Sequence, residues 1–301
     1  MDVLLVGGSG FIGQHLSAEL DDRGHDVTAL SRDPDPGELP DSVETTMGDV
    51  TAYDSIVSAF DGQDAVVNLV ALSPLFEPKG GNEMHDRVHR GGTENCIQAA
   101  EEHGVDRFVQ LSALGADPDG PTHYIRSKGR AEQAVVDSSL DAVVFQPSVV
   151  FGDGGEFVSF TKRLKKLFAP GLPLYPLPGG GKKTRFQPVW VGDLVGMLAD
   201  SLEDDNHVGE IYEIGGPEVL TLREITEMVY EAEGKSMRIV GLPMGLAGVG
   251  LKTLGVVPGF PMGGDQYRSL NFDNTTADND VEAFGVDTAQ MMTLGAYLGV
   301  E

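Results

Sequence analysis

The stretch MDVLLVGGSGFIGQHL, residues 1–16, decides the fold. Four apolar residues, Val3, Leu4, Leu5 and Val6, run straight into glycines at Gly7, Gly8, Gly10 and Gly13, the pattern of a buried strand, a tight turn and the start of a helix. Gly7 suits the turn. Gly10 lets backbone N–H groups approach a pyrophosphate, and Gly13 lets the helix lie close to the strand. The helix start at Phe11 and Ile12 offers orphan N–H groups and a positive dipole end to an anion. Ile12, Leu16 and Leu20 recur at helical spacing, Gly24 is placed to end the helix, and residues 25–30 read as a second strand. The unit predicts dinucleotide binding, against the alternative of an ordinary glycine-rich strand–helix turn.

The second strand ends in ALSRD, residues 29–33, and this position selects the cofactor. An acidic residue there accepts hydrogen bonds from the ribose hydroxyls of NAD, whereas an arginine holds the 2′-phosphate of NADP. Ser31 and Arg32 come first, so NADP(H) is favoured over NAD(H), with Asp33 keeping NAD open. Asp49 and Val50 follow a short strand-like stretch. They are expected near the adenine, or Asp49 serves as N-cap of a helix running through Tyr53 to Phe60. AVVNLVA, residues 65–71, is an apolar run of the kind covered on both sheet faces, with Leu69, Val70 and Ala71 beside the cofactor. Residues 92–103 read as a helix, and residues 107–111 as another buried strand.

That strand delivers Ser112, and twelve residues later comes YIRSK, residues 124–128. Tyr124 and Lys128, four apart, share one helix face, which predicts that the ammonium lowers the phenol pKa and suits it to exchange a proton with a carbonyl or alcohol oxygen. Ser112 supplies a second hydrogen bond to that oxygen.

The chain has 301 residues, with 47 acidic and 21 basic side chains and a net charge of −26. Binding along a nucleic-acid backbone is excluded on charge. The acidic excess reads as a solvated surface suited to high salt, as in a halophile, rather than an acidic docking face. The single cysteine, Cys96, allows no internal disulfide and reads as a buried thiol. The seven histidines show no ligand spacing, so no metal is expected. Without a leader pattern or a spanning apolar stretch, the chain reads as soluble and cytoplasmic.

With these motifs together, the chain resembles the short-chain dehydrogenase/reductase superfamily in its extended or atypical branch. Further segments narrow the resemblance: RFVQLSALG at 107–115, FQPSVVFG at 145–152, RFQPVWVGD at 185–193, YEIGGPEVLT at 212–221, GLPMGLA at 241–247 and DQ at 265–266. They look like the family of the NAD(P)-binding accessory subunit of respiratory complex I and its bacterial and archaeal relatives. The resemblance implies an α/β fold, a Rossmann-type doubly wound parallel sheet with a smaller C-terminal substrate-binding lobe. Residues 1–150 would form the NAD(P)-binding domain and residues 151–301 mainly the substrate lobe, with segments returning to the first domain. It also implies Ser112, Tyr124 and Lys128 as the catalytic set. Gly7, Gly10, Phe11, Ile12, Gly13, Ser31, Arg32, Asp49, Val50, Leu69, Val70, Ala71, Lys128 and Pro147 would contact the dinucleotide.

Three departures stand out. Gln146 occupies a position where the family usually carries arginine, so an ionic role there is lost. His89 stands where many members place an asparagine that supports a proton-relay water; it holds a water or is a helix-surface histidine. PMGG, residues 261–264, is richer in glycine than its relatives.

Beyond Val150 glycine and proline increase, as in APGLPLYPLPGGG at 169–181, and residues 220–233 read as a helix opened by Thr221 with Glu224 as capping-box partner. Phe157, Phe160, Leu164 and Phe168 form an apolar stripe, with Lys162, Arg163, Lys165 and Lys166 beside it. The cations read either as a solvated face or as a contact with an anionic membrane surface or a respiratory complex, at the inner face of the cell membrane. Two function classes follow. One is an NAD(P)-dependent oxidoreductase acting on a carbonyl, alcohol or quinone-like small molecule, with isoprenoid chemistry compatible with apolar residues 242–257. The other is a non-catalytic NADP(H)-binding accessory or assembly factor of a complex I-like NADH dehydrogenase.

Overall fold

The computed structural model describes residues 1–34, 39–169, 171, 174–243, 264–269 and 271–300. The chain divides into two compact units. The first comprises Met1–Leu72, Lys79–Pro147 and Val191–Glu213; the second comprises Ser73–Pro78, Ser148–Trp190 and Ile214–Glu301.

In the first unit, strands β1 (Asp2–Val6), β2 (Asp26–Ser31), β3 (Glu44–Met47), β4 (Ala65–Asn68), β5 (Arg107–Leu111) and β6 (Asp141–Pro147) join β11 (Ile211–Ile214) in a parallel sheet of order β11-β6-β5-β4-β1-β2-β3. The order reverses between β1 and β4, the switch point outside which ligands of such sheets bind at the strands' carboxyl ends. Val3 to Val6 are completely buried. Helix α1 (Phe11–Asp22) connects β1 to β2. A helical turn, α2 (Glu83–His85), passes into a π-helix (Asp86–Gly91) and then α3 (Gly92–His103), while α4 (His123–Val136) precedes β6. Thr122 caps α4 by accepting the Ile125 N–H at 3.2 Å.

Two local expectations are corrected. The helix through Tyr53 to Phe60 is a pair of short 3₁₀ turns, Tyr53–Ser55 and Val57–Phe60, with Ala52 at the first N-cap, so Asp49 does not cap it. The strand predicted over 65–71 ends at Asn68, where Asn68 Nδ2 bonds Thr93 and Gln110 and its Oδ1 receives the Val70 N–H. A side chain thus replaces ladder partners just as the backbone leaves the sheet.

The second unit pairs short strands: β7 (Val150–Phe151) with β10 (Val189–Trp190), β8 (Leu174–Pro178) with β13 (Arg238–Leu242), and β9 (Arg185–Phe186) with β12 (Leu220–Thr221). Helix α5 (Glu156–Phe168) buries Phe157, Phe160 and Leu164, which accounts for the apolar stripe; the Phe168 side chain lies outside the described residues. Lys162 on its other face is paired with Glu233, and Arg163 lies 4.0 Å from Glu156. Lys165 and Lys166 fall in the last turn, where cations complement the helix dipole. Helix α6 (Val191–Glu203) returns to the first unit. Helix α7 (Leu222–Glu231) opens with the Thr221–Glu224 capping box expected from the sequence, but begins at Leu222 rather than at 220 and ends at Glu231 rather than at 233, with Leu220 and Thr221 drawn into a strand. Most of 242–257 and of 241–247 lies outside the described residues, as do residues 261–263.

Candidate active site

The turn between β1 and α1 is fixed by backbone geometry. Gly7 sits at φ +91°, a region that side-chain-bearing residues avoid. A Cβ on Gly13 would meet the Gly7 and Gly8 carbonyl oxygens at 2.5 Å. Gly10 is the α1 N-cap, with no side-chain cap bond and no acidic residue in the first turn, so the N–H groups of Phe11 and Ile12 keep their positive end. Leu69 donates its N–H to Val6 O at 2.9 Å, and the Val70 side chain closes on the Gly7 turn. Ala71 follows and is exposed.

At the end of β2, Ser31 Oγ is buried without a hydrogen-bond partner. Arg32 and Asp33 are exposed. The Ser31 carbonyl accepts from Gly48 N, which holds Asp49 beside this end. Asp49 Oδ1 accepts from Thr51 N and Thr51 Oγ1 at 2.9 and 2.8 Å. Burial opposes its ionisation, but those bonds and the cations Arg32 and Arg87 hold its carboxyl below the ordinary aspartate value. The next carbonyl, of Val50, accepts from Asn95 Nδ2 at 2.7 Å. Thr51, Arg87 and Asn95 line one groove together with Asp86 and Arg90. Arg87 had no motif to mark it; only its position on the helix after β4 brings it to Asp49.

The Tyr124–Lys128 face lies on α4. Lys128 is 2 % exposed, and its Nζ donates to Leu111 O at 2.9 Å. Burial lowers the ammonium from the ordinary lysine value to about 8, partly offset by Glu132. Tyr124 behaves opposite to the expectation from spacing: burial pushes its phenol above the ordinary tyrosine value. The physical reason is desolvation of the phenol, while the Lys128 ammonium donates to the Leu111 carbonyl. Ser112 follows β5, its N–H bonded to Phe145 O and its Oγ buried beside the Glu132 carboxylate. Pro147 ends β6 and receives the Leu114 N–H.

His89 is neither a surface histidine nor a free water ligand. It is 2 % exposed in the π-helix, a distortion frequent at functional sites. Nε2 accepts the Leu72 N–H at 2.8 Å, which places the ring proton on Nδ1, 2.8 Å from Ser127 Oγ; Ser127 in turn donates to Tyr124 O. Both ring nitrogens are thus occupied by protein. Burial, then Lys128 and His85, keep it neutral well below the ordinary histidine range. His85 and His89 both meet the Tyr124 ring edge-on. Cys96 is buried, its thiol pushed up to about 12 by desolvation, so it is no nucleophile. Among the described residues no cluster of metal-ligating side chains occurs, and no helix is long and apolar enough to cross a membrane.

The glycine turn, the uncapped helix start and the buried orphan hydroxyl of Ser31 fit a dinucleotide: the Cβ-free cradle admits backbone contact, and the hydroxyl makes no hydrogen bond to protein. These features define a class, a dinucleotide-binding α/β protein with a Tyr–Lys helix. The NAD(P)H-binding family model matches residues 7–166. NADH dehydrogenase [ubiquinone] 1 alpha subcomplex subunit 9, mitochondrial, of Arabidopsis thaliana is 27 % identical, over 94 % of this chain and 73 % of that protein. 3 beta-hydroxysteroid dehydrogenase/Delta 5→4-isomerase of Mycobacterium tuberculosis is 30 % identical, over 86 % of this chain and 77 % of that one. The fold matches that of UDP-glucose 4-epimerase from Thermus thermophilus in complex with NAD, with TM-score 0.73, 23 % identity and coverage of 100 % and 98 %. The chain belongs to the NAD(P)H-binding family and is an NAD(P)-binding oxidoreductase of the extended short-chain dehydrogenase/reductase type.

Proposed function

We propose that the protein uses NADP(H) to reduce or oxidise a carbonyl, alcohol or quinone-like small molecule. The dinucleotide, when bound, supplies or accepts the hydride at a carbon bearing oxygen. Gly7, Gly10 and Gly13 admit the pyrophosphate to the N–H groups of Phe11 and Ile12. Leu69, Val70, Ala71 and Pro147 flank it, and Asp49 and Val50 meet the adenine. Ser31 and Arg32 hold the 2′-phosphate, with Arg87, also near Asp49, adding positive charge. Ser112 Oγ donates to the reacting oxygen, Tyr124 moves the proton at that oxygen, and Lys128 leaves the Leu111 carbonyl to engage the ribose and favour the phenolate. The single observation carrying this reading is the pair of a buried Ser112 hydroxyl and a buried Lys128 one helical turn from Tyr124. A structural cofactor has no need of either. Residues 1–150 would carry the dinucleotide, and residues 151–301 would supply most of the substrate lobe.

Similarity to the plant mitochondrial subunit along nearly the whole chain favours a second reading, an accessory or assembly role in a complex I-like assembly at the inner face of the cell membrane. Among the described residues Lys162 and Arg163 have acidic neighbours in the second unit, and Lys165 and Lys166 are the cations to test for such a contact.

The experiment is to denature protein purified in high salt, identify the released dinucleotide, and titrate the emptied protein with NADPH and NADH. NADP(H) release and tighter NADPH binding are expected. Release of NAD(H) alone overturns the assignment of Ser31 and Arg32. Tightly held cofactor that no quinone or carbonyl compound oxidises favours the accessory role.

A further inference from the structure

Helix α4 carries Tyr124, Lys128 and Glu132 at successive turns of one face. The first two have roles proposed above; the third has none. The Glu132 carboxylate accepts from a neutral amide, Gln146 Nε2, at 2.9 Å on Oε1 and 2.8 Å on Oε2. That amide orients the carboxylate without neutralising it. Where a guanidinium at position 146 would compete for the charge, glutamine leaves it to another cation.

The charged and titratable groups around the pair are few. On α4 itself Glu132 faces Lys128. From the end of β5 comes the Ser112 hydroxyl, from β6 the neutral Gln146 amide, and from the π-helix His89, kept neutral by burial, Lys128 and His85; Tyr124 stands one turn before Lys128. Burial pushes Glu132 above the ordinary glutamate value, with Gln146, Ser112 and Lys128 pulling it back. Burial lowers Lys128, with Glu132 pulling the other way. Each charge is offset by its neighbour one turn away.

We propose that Glu132 is a positioning residue that keeps Lys128 a cation, its carboxylate aimed by Gln146 so that the buried ammonium stays charged for the ribose and for Tyr124. The consequence for ligand binding rests on the assignment of Lys128 above. The charge balance itself does not.

The test begins without dinucleotide. Melting temperatures of the wild type, Glu132→Gln, Lys128→Met and the double variant are measured from pH 6 to 10.5. A lysine with a folded pKa near 8 is destabilising when charged, and that cost is relieved as pH rises from the folded value toward the unfolded one. The wild type should therefore gain stability relative to Lys128→Met above pH 8. In Glu132→Gln the onset of that gain should move down by about one pH unit, and the double variant should recover stability lost in Glu132→Gln. An unmoved onset, or strictly additive losses in the double variant, overturns the proposal. If Glu132→Gln does not fold, recovery in the double variant still decides between coupling and its absence. NADPH titration at pH 8 then separates the layers: about fivefold weaker binding in Glu132→Gln, the fall in charged lysine from about half to about a tenth when its pKa drops by about one unit, partly restored in Glu132→Asp, supports both. A moved onset with unchanged NADPH affinity upholds the charge balance and removes Lys128 from the ribose.

Discussion

The glycine turn and the α4 face belong to the same unit but are held in different ways. The turn is a matter of backbone sterics: Gly7 at positive φ and Gly13 pressed against two carbonyl oxygens leave no room for side chains, and no charge is involved. The α4 face is a matter of buried charge. Lys128 and Glu132 are each shifted by desolvation and offset by one another, with Gln146, Ser112 and His89 arranged around them. Sterically built sites are robust to pH and salt but intolerant of one added methyl. Sites built from charge tolerate change in shape and respond to protonation.

Ways to break that contrast follow from it. Gly13→Ala should destabilise the protein by about 1–3 kcal/mol, the cost of overpacking, and abolish detectable NADPH binding in a fluorescence titration. A variant that melts and binds like the wild type would show that the cradle is looser than its 2.5 Å contacts indicate. Arg32→Ala should weaken NADPH by about ten- to a hundredfold, the worth of a hydrogen bond to a charged group, while NADH binding changes little; equal losses for both would remove Arg32 from the 2′-phosphate. Arg87→Ala should show the same selectivity with a smaller loss, read in the same titrations. The smallest effect concerns the electrostatic side. Because Lys128 titrates near pH 8 in the folded protein, NADPH affinity should fall a few-fold between pH 7 and 9 in the wild type and stay flat in Lys128→Met. His89→Asn, which removes the ring joining Leu72 N to Ser127, should lower the melting temperature without shifting that pH midpoint.

The sterically built half was legible in the sequence because it is local. Gly7, Gly10 and Gly13 lie within seven consecutive residues, and the strand before them is uniformly apolar. The capping box at Thr221 and Glu224 was legible for the same reason. The half built from charge was only partly so. Spacing placed Tyr124 and Lys128 on one face, but the direction of the Tyr124 shift depends on burial by chain distant in sequence, and spacing alone gives the opposite sign. Glu132 stood at the next turn, yet its meaning depends on Gln146, which the sequence offered only as a missing arginine. His89 needed Leu72 and Ser127, 17 and 38 residues away, before its tautomer was defined. Asp49 lay in between: the sequence marked it as a candidate cofactor contact, but neither its place beside Arg32 nor the Thr51 bonds that occupy one of its oxygens could be read there.

The most direct test of the account is the rate of NADPH oxidation at saturating NADPH by the wild type and Tyr124→Phe, with the best acceptor from a panel of quinones and carbonyl compounds. The account predicts that the variant still binds NADPH but turns over about 10²–10⁴-fold more slowly, the usual worth of a positioned acid/base group. Equal rates in the two proteins would contradict it.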